Sequence, residues 1–288
     1  MFKWVELGEG EPDRRFLILE RVMNENGLEN KFDWSLLSPE QDLRDRIQEL
    51  SGQHTQIRVS GAWRDRVKDA IDTWPATLLT LKSADALVCE NQIWWARNFL
   101  SDSIQILIAE QLNGLDLSSA ALLIGATPET RAAIHALVRV GICRFLISDR
   151  NESLAQELVH QLEKLYFNVK FEFVKCEMIT QLPASTSVAV NTLSHQDYSK
   201  ELAELSYLNF LIPGGTWLDL SLGAKSESLD EEARIVGAQV ISGWTAWARS
   251  DLLWLNYIEV GTSQSRNSIS LSQLSDAYGA AYGSVQSS

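Results

Sequence analysis

The chain has too few cysteines, spaced too far apart, to be held together by them. Cys89, Cys143 and Cys176 are the whole set in 288 residues, with no CxxC pair among them. A disulfide framework and a paired-cysteine zinc site are therefore not indicated. Long apolar runs are missing as well. Nothing approaches the roughly 20 apolar residues of a membrane span. The opening MFKWVELGEGEPDRR has no apolar core of a secretory signal. No membrane partner is expected, and the expected compartment is the cytoplasm. Basic residues are scarce: 25 Lys and Arg stand against 38 Asp and Glu, a formal net charge of -13. A phosphate backbone calls for a basic surface, so nucleic acid is not an expected partner. The four histidines, His54, His135, His160 and His195, form no HxxxH or HxH pattern, and no metal site is expected. A GxSxG elbow and a phosphate-binding Walker loop are also absent.

What is present is a globular composition, 45% hydrophobic and 22% charged, with ten tryptophans. The clearest pattern lies mid-chain. Ala120–Ile124 is a short apolar run that reads as a buried strand, broken by Gly125-Ala126-Thr127-Pro128. A helix follows with Ile134, Leu137 and Val138 on one face and Gly141 as its stop. Arg144–Ser148 reads as the next strand, and a helix from Ser153 to Leu165 carries Leu154, Leu158 and Leu162. Further strands are expected at Val169–Val174, Ser187–Asn191, Trp217–Leu220 and Ala238–Ile241. Strands alternating with helices predict a doubly wound parallel sheet, a Rossmann-like domain over residues 113–242 with strand order 3-2-1-4-5-6.

Residues 1–112 pattern more weakly, as a second α/β domain of the substrate-binding type. Phe16–Asn26 reads as a helix, Thr55–Val59 as a strand, Arg64–Thr73 as a helix and Gln92–Phe99 as a strand-like aromatic stretch. A Trp-rich helix over 243–260 is expected to return to this domain. It sets Trp244, Trp247 and Trp254 on one face, as packing or as the wall of a cleft. Residues 261–288 form a Ser-, Gly- and Gln-rich tail with a short helix near 270–278. The fold class is thus α/β with two domains.

The turn after the first mid-chain strand admits two readings. Gly125, Ala126 and Thr127 occupy the place of a dinucleotide-binding turn at a helix N-terminus. Yet Thr127 stands where glycine lets a diphosphate approach, Pro128 lacks a backbone N–H, and Glu129 adds negative charge. The same residues equally describe a capped helix with no ligand: Thr127 as N-cap, Pro128 in the first turn, and Glu129 against the dipole. Asp149 and Arg150 follow Gly125 by about 24 residues, the interval at which such folds contact the adenosine ribose.

In order and spacing, these segments resemble the shikimate dehydrogenase family. Gly125-Ala126-Thr127-Pro128-Glu129 resembles its GAGGA turn with both later glycines gone. Asp149-Arg150-Asn151 resembles its N-R-T motif, and Asn191-Thr192-Leu193-Ser194 its N-A-T-P motif. Gly243-Trp244-Thr245-Ala246-Trp247 resembles its D-G-x-x-M-L stretch. The resemblance implies NADP or NAD at Gly125, Ala126, Thr127, Asp149, Arg150, Asn191 and Gly243. It also implies a small hydroxy or keto acid in an interdomain cleft, and leaves room for a homodimer.

The family's proton-handling Lys–Asp pair does not carry over intact. N-V-T-x-P-x-K aligns with Gln56–Ala62, which leaves Ala62 at the lysine position. N-T-D aligns with Leu100-Ser101-Asp102, which keeps Asp102. Arg58 is the nearest replacement cation, with Arg64 and Lys68 behind it. Arginine stabilises an alkoxide but stays protonated and is a poor proton donor. Taken as a structural residue, Arg58 would be an exposed strand side chain. Ser101, Trp247 and Ser250 are the expected substrate contacts, Ser250 replacing the family's glutamine. Two functions follow: a divergent NAD(P)-dependent oxidoreductase working without that pair, or a non-catalytic relative used for ligand sensing or protein interaction.

Overall fold

A computed structural model describes residues 2–37, 42–51, 53–110, 115–194, 208–222, 226–259 and 269–283. The chain divides into two compact units. Unit 1 is Met1–Leu100 with Ala248–Tyr278, and unit 2 is Ser101–Trp247 with Gly279–Ser288.

Unit 1 is built on a sheet of five strands: β1 (Phe2–Gly8), β2 (Asn30–Leu36), β3 (Gln56–Val59), β4 (Ala86–Glu90) and β5 (Ile93–Arg97). Their order is β2-β1-β3-β4-β5. The first three are parallel, and β4 and β5 form an antiparallel hairpin. Alternation along each strand separates two faces. One buries Val5, Leu7, Ile57, Val59, Leu87 and Ala96 with Ile47 of helix α2 (Leu43–Ser51) and Trp63 of α3 (Trp63–Arg66). The opposite side of β1 and β3 carries Trp4, Glu6 and Arg58. Helix α1 (Arg14–Glu25) buries Arg15, Phe16, Leu19, Val22 and Met23, an i, i+4, i+7 stripe. Asp13 caps it, its Oδ1 accepting from the Arg15 amide at 2.9 Å. The helix expected over Arg64–Thr73 is only α3, which gives way to a 3-10 turn at Val67–Asp69.

Unit 2 holds six parallel strands: β6 (Ala120–Ile124), β7 (Arg144–Ser148), β8 (Lys170–Phe173), β9 (Thr186–Asn191), β10 (Leu211–Asp219) and β11 (Gln239–Ser242). Their order β11-β10-β9-β6-β7-β8 is the expected 3-2-1-4-5-6 read from the other edge. Strands β6 and β9 are buried along their whole length, which is why they read as unbroken apolar runs. Helices α5 (Pro128–Val140), α6 (Glu152–Leu165) and α7 (Ser226–Ile235) alternate with the strands. Strand β10 starts at Leu211, ahead of the expected Trp217.

Helix α4 (Phe99–Glu110) and helix α8 (Gly243–Glu259) each begin in one unit and end in the other. The tryptophans of α8 therefore have separate surroundings. Trp247 donates to the Leu220 carbonyl at 2.9 Å in unit 2. Trp254 packs on Trp4 with ring centroids 5.0 Å apart in unit 1. A last helix, α9 (Leu271–Gly283), occupies most of the described tail. Residues 261–268 and 284–288, with His195, lie outside the described residues. Among the described residues no helix is long and apolar enough to cross a membrane.

Candidate functional site: a closed turn and a buried ionic cluster

Two places gather the residues singled out in the sequence. The first is the turn from β6 to α5. Gly125 holds φ at +115°, and a Cβ there would lie 2.3 Å from Thr192 Oγ1. The Gly125 amide donates to Ser148 O at 2.7 Å, and the Ala126 amide to Asp149 Oδ2 at 2.8 Å. Thr127 is the N-cap of α5. Its hydroxyl accepts from the Thr130 amide, and the Thr130 hydroxyl accepts from the Thr127 amide, each at 3.4 Å. Thr130 Oγ1 also donates to Gly125 O at 2.7 Å and lies 2.9 Å from Thr192 Oγ1. Pro128 has no amide hydrogen, and Glu129 sits in the first turn.

A cofactor diphosphate needs backbone donors aimed outward and a neutral approach. Here the donors of Ala126, Thr127 and Thr130 are used by Asp149 and by threonine hydroxyls. Pro128 has none to give, and the carboxylate of Glu129 repels phosphate. The neighbouring strand ends are equally self-satisfied. Asp149 is buried, and its Oδ1 accepts from the Asn151 amide at 2.7 Å, while Arg150 is exposed. Asn191 donates to Asp219 Oδ1 at 2.9 Å and accepts from the Leu193 amide at 3.1 Å. Gly243 opens α8 where a Cβ would lie 1.9 Å from Asp219 O, so only glycine lets the helix start there.

The second place is in unit 1. Arg58, expected at the surface if structural, has no exposed surface at all. Its Nη2 lies 2.9 Å from Asp251 Oδ1, and its guanidinium stacks over Phe16 and Trp254 at 5.1 and 5.0 Å. Arg15 Nη1 approaches Asp251 Oδ2 at 3.5 Å, and the Tyr278 hydroxyl donates to the same oxygen at 2.7 Å. Burial lowers the pKa of Arg58, opposed by the Asp251 and Asp85 carboxylates. Burial raises that of Tyr278 well above its usual value, reinforced by Asp251. Glu6 lies beside Arg58 in the β1–β3 register, and burial pushes its carboxyl up to about 7.

Sequence reasoning missed Arg15, Asp251, Tyr278 and Glu6. The available signal was a charged residue on an apolar stripe: Arg15 beside Phe16, and Asp251 within a Trp- and Leu-rich helix. The other expected residues are divided between the two units. Asp102, in the first turn of α4, is 46% exposed and pairs with Arg139 at 2.8 Å. It falls in unit 2, and Arg58 in unit 1. Ala62 is exposed, while Arg64 is buried and donates to Val59 O at 3.0 Å. Ser101 and Ser250 are fully buried, one in each unit. Among the described residues no three His, Cys, Asp or Glu side chains are grouped to hold a metal ion.

A six-stranded parallel sheet in that order, paired with a mixed five-stranded sheet, decides the fold. The chain has the fold of the shikimate and quinate dehydrogenases. It superposes on quinate dehydrogenase from Corynebacterium glutamicum in complex with NAD with a TM-score of 0.78, at 15% identity, over 97% of this chain and 99% of that one. For shikimate 5-dehydrogenase from Thermus thermophilus, in complex with NADP(H) and shikimate, the TM-score is 0.69 at 18% identity, over 98% and 100%. For shikimate dehydrogenase from Mycobacterium tuberculosis it is 0.70 at 17% identity, over 97% and 100%. No protein-family model matches the chain, and no curated protein matches it in sequence. At such identities the likeness is one of fold, and activity has to be argued from the residues themselves.

Proposed function

We propose that this chain is a divergent, non-catalytic protein of shikimate-dehydrogenase type that serves ligand sensing or protein interaction. Two of the structures it superposes on carry NAD or NADP(H), so the fold itself resembles that of NAD(P)-dependent oxidoreductases. The observation that carries the reading is the turn at Gly125–Thr130. Its amide donors are turned to Asp149 and to threonine hydroxyls, and Pro128 and Glu129 oppose a diphosphate. Ala62 at the family's lysine position supports the same reading. Hydride transfer to a ketone leaves an alkoxide that needs a proton, and Asp102 is engaged with Arg139 at the surface. The fold's usual ligand class, a small hydroxy or keto acid, is retained in this proposal as the molecule sensed.

A second reading keeps the chemistry. Asp149 remains at the carboxyl end of β7, where a ribose would meet it. In this form the protein is an NAD(P)-dependent oxidoreductase working without the Lys–Asp pair. Cofactor titration followed by tryptophan fluorescence separates the two. On the first reading neither NADH nor NADPH saturates the protein at millimolar concentration. The triple variant T127G/P128G/E129A, which restores small residues and a donor, gains affinity at least tenfold. Saturation of the unaltered protein in the micromolar range, with turnover of shikimate or quinate, overturns the first reading in favour of the second.

A further inference from the structure

A hollow of about 670 Å³ opens in unit 1 between α2, the segment Ala70–Thr73 and the tip of the β4–β5 hairpin. Strand β4 runs against β3, with Gln56 opposite Val88, so the hairpin tip extends beyond the amino end of β3. Ligands of open α/β sheets bind at the carboxyl ends of the parallel strands. This hollow lies at the other end and is separate from the places described above. Its volume is that of a small-molecule site.

We propose that it binds a neutral, planar heteroaromatic molecule. Ile47, Ile71 and Trp94 supply apolar walls, and Trp94 is braced against the unit 1 core. A flat ring gains most from such walls, because an indole face stacks on another π-system. Gln48 and Gln92 border the same space, and a carboxamide carries both a donor and an acceptor for the edge of a ring. The charge at the rim is already matched: Arg44 grips Asp72 with both terminal nitrogens at 3.1 Å. A charged ligand finds no free counterion there, and the acidic protein as a whole repels anions.

The hairpin turn supports a role for Gln92. Glu90 pairs with Ile93, which leaves Asn91 and Gln92 as a two-residue loop, with φ of +52° and +66°. Such a turn favours glycine at its second position. Gln92 adopts that backbone against its preference, and it borders the hollow. Backbone strain of this kind gathers at ligand sites.

Cys89 gives the hollow a built-in reporter. It lines the space and stands directly across the ladder from Trp94, so a ring seated on Trp94 covers the thiol. The experiment is alkylation of the whole protein with iodoacetamide, read by mass spectrometry, with the exposed Cys143 as internal reference. Adenine at millimolar concentration is expected to slow Cys89 alkylation several-fold and leave Cys143 unchanged. Benzoate, an anion of similar flatness, is expected to leave both thiols unchanged. Q92G is expected to raise Tm, because glycine suits the turn, and yet to lose the protection. The indole N–H resonance of Trp94 is a second readout and is expected to shift with adenine. The proposal is overturned if adenine and hypoxanthine both leave the Cys89 rate and the Trp94 resonance unchanged. It is equally overturned if Q92G is protected as well as the parent protein.

Discussion

Glu6 has no exposed surface, and its carboxyl titrates near 7 instead of its ordinary 4.5 because burial penalises the anion. The folded protein therefore holds this proton more tightly than the unfolded chain does. Stability from this group is fully present below about pH 4.5 and is lost as pH rises through 7. The amount at stake is on the order of 3 kcal/mol. Glu6→Gln is expected to flatten this decline in urea unfolding between pH 5 and 8 and to leave the variant more stable than the parent at pH 8. His135 works in the opposite direction. Burial, with Arg139 adding to it, lowers its imidazole to about 4, so its contribution is lost as pH falls through that value. Asp102 and Arg58 were expected to act together. The structure gives each its own counter-ion, because a side chain's neighbours depend on which strands and helices pack beside it.

The elements were better marked. The unit 2 strands β6, β7 and β9 were readable because strands buried on both faces are apolar throughout. The cap of α5 was readable because Thr-Pro-Glu is a helix-start signature. The partners that Thr192 and Asp149 add to this turn were not readable, because the fold brings them there from other positions in the chain. Strands β1 and β2 went unread because Glu6, Lys31 and Asp33 interrupt their apolar pattern. Helix α3 is shorter than its periodicity suggested. The start of α8 gives a test at this scale. Gly243→Ala puts a methyl group against the Asp219 carbonyl, which backbone cannot easily yield. A loss of roughly 1–3 kcal/mol is expected from overpacking at such a site. Thermal unfolding checks it, and an unchanged Tm contradicts the close approach.

At the scale of the whole molecule, the two units carry charge in different ways. Unit 2 keeps its ion pair Arg139–Asp102 at the surface, where such a pair contributes little. Unit 1 buries Arg15, Arg58 and Asp251 together. Removing the shared carboxylate takes a buried partner from both guanidinium groups, a loss of about 3–5 kcal/mol. Asp251→Asn is therefore expected to weaken amide hydrogen-exchange protection in β1, β3 and α1 while β6, β7 and β9 keep theirs. Uniform weakening across both sheets counts against a cluster confined to unit 1.

The sequence by itself determined the class of architecture, because burial imprints its period on the chain, and the strand order of unit 2 followed from the rule for doubly wound folds. It also determined the chemistry of the turn at Gly125, since Pro128 and Glu129 act through their own covalent structure. Only the tertiary structure decided that Arg58 is interior, that Asp251 and Tyr278 meet it there, and that Gln48 and Trp94 border one hollow. Those are contacts between segments distant in sequence. Local patterning carries no record of which distant segments meet, because that is set by how whole faces of the sheets are covered.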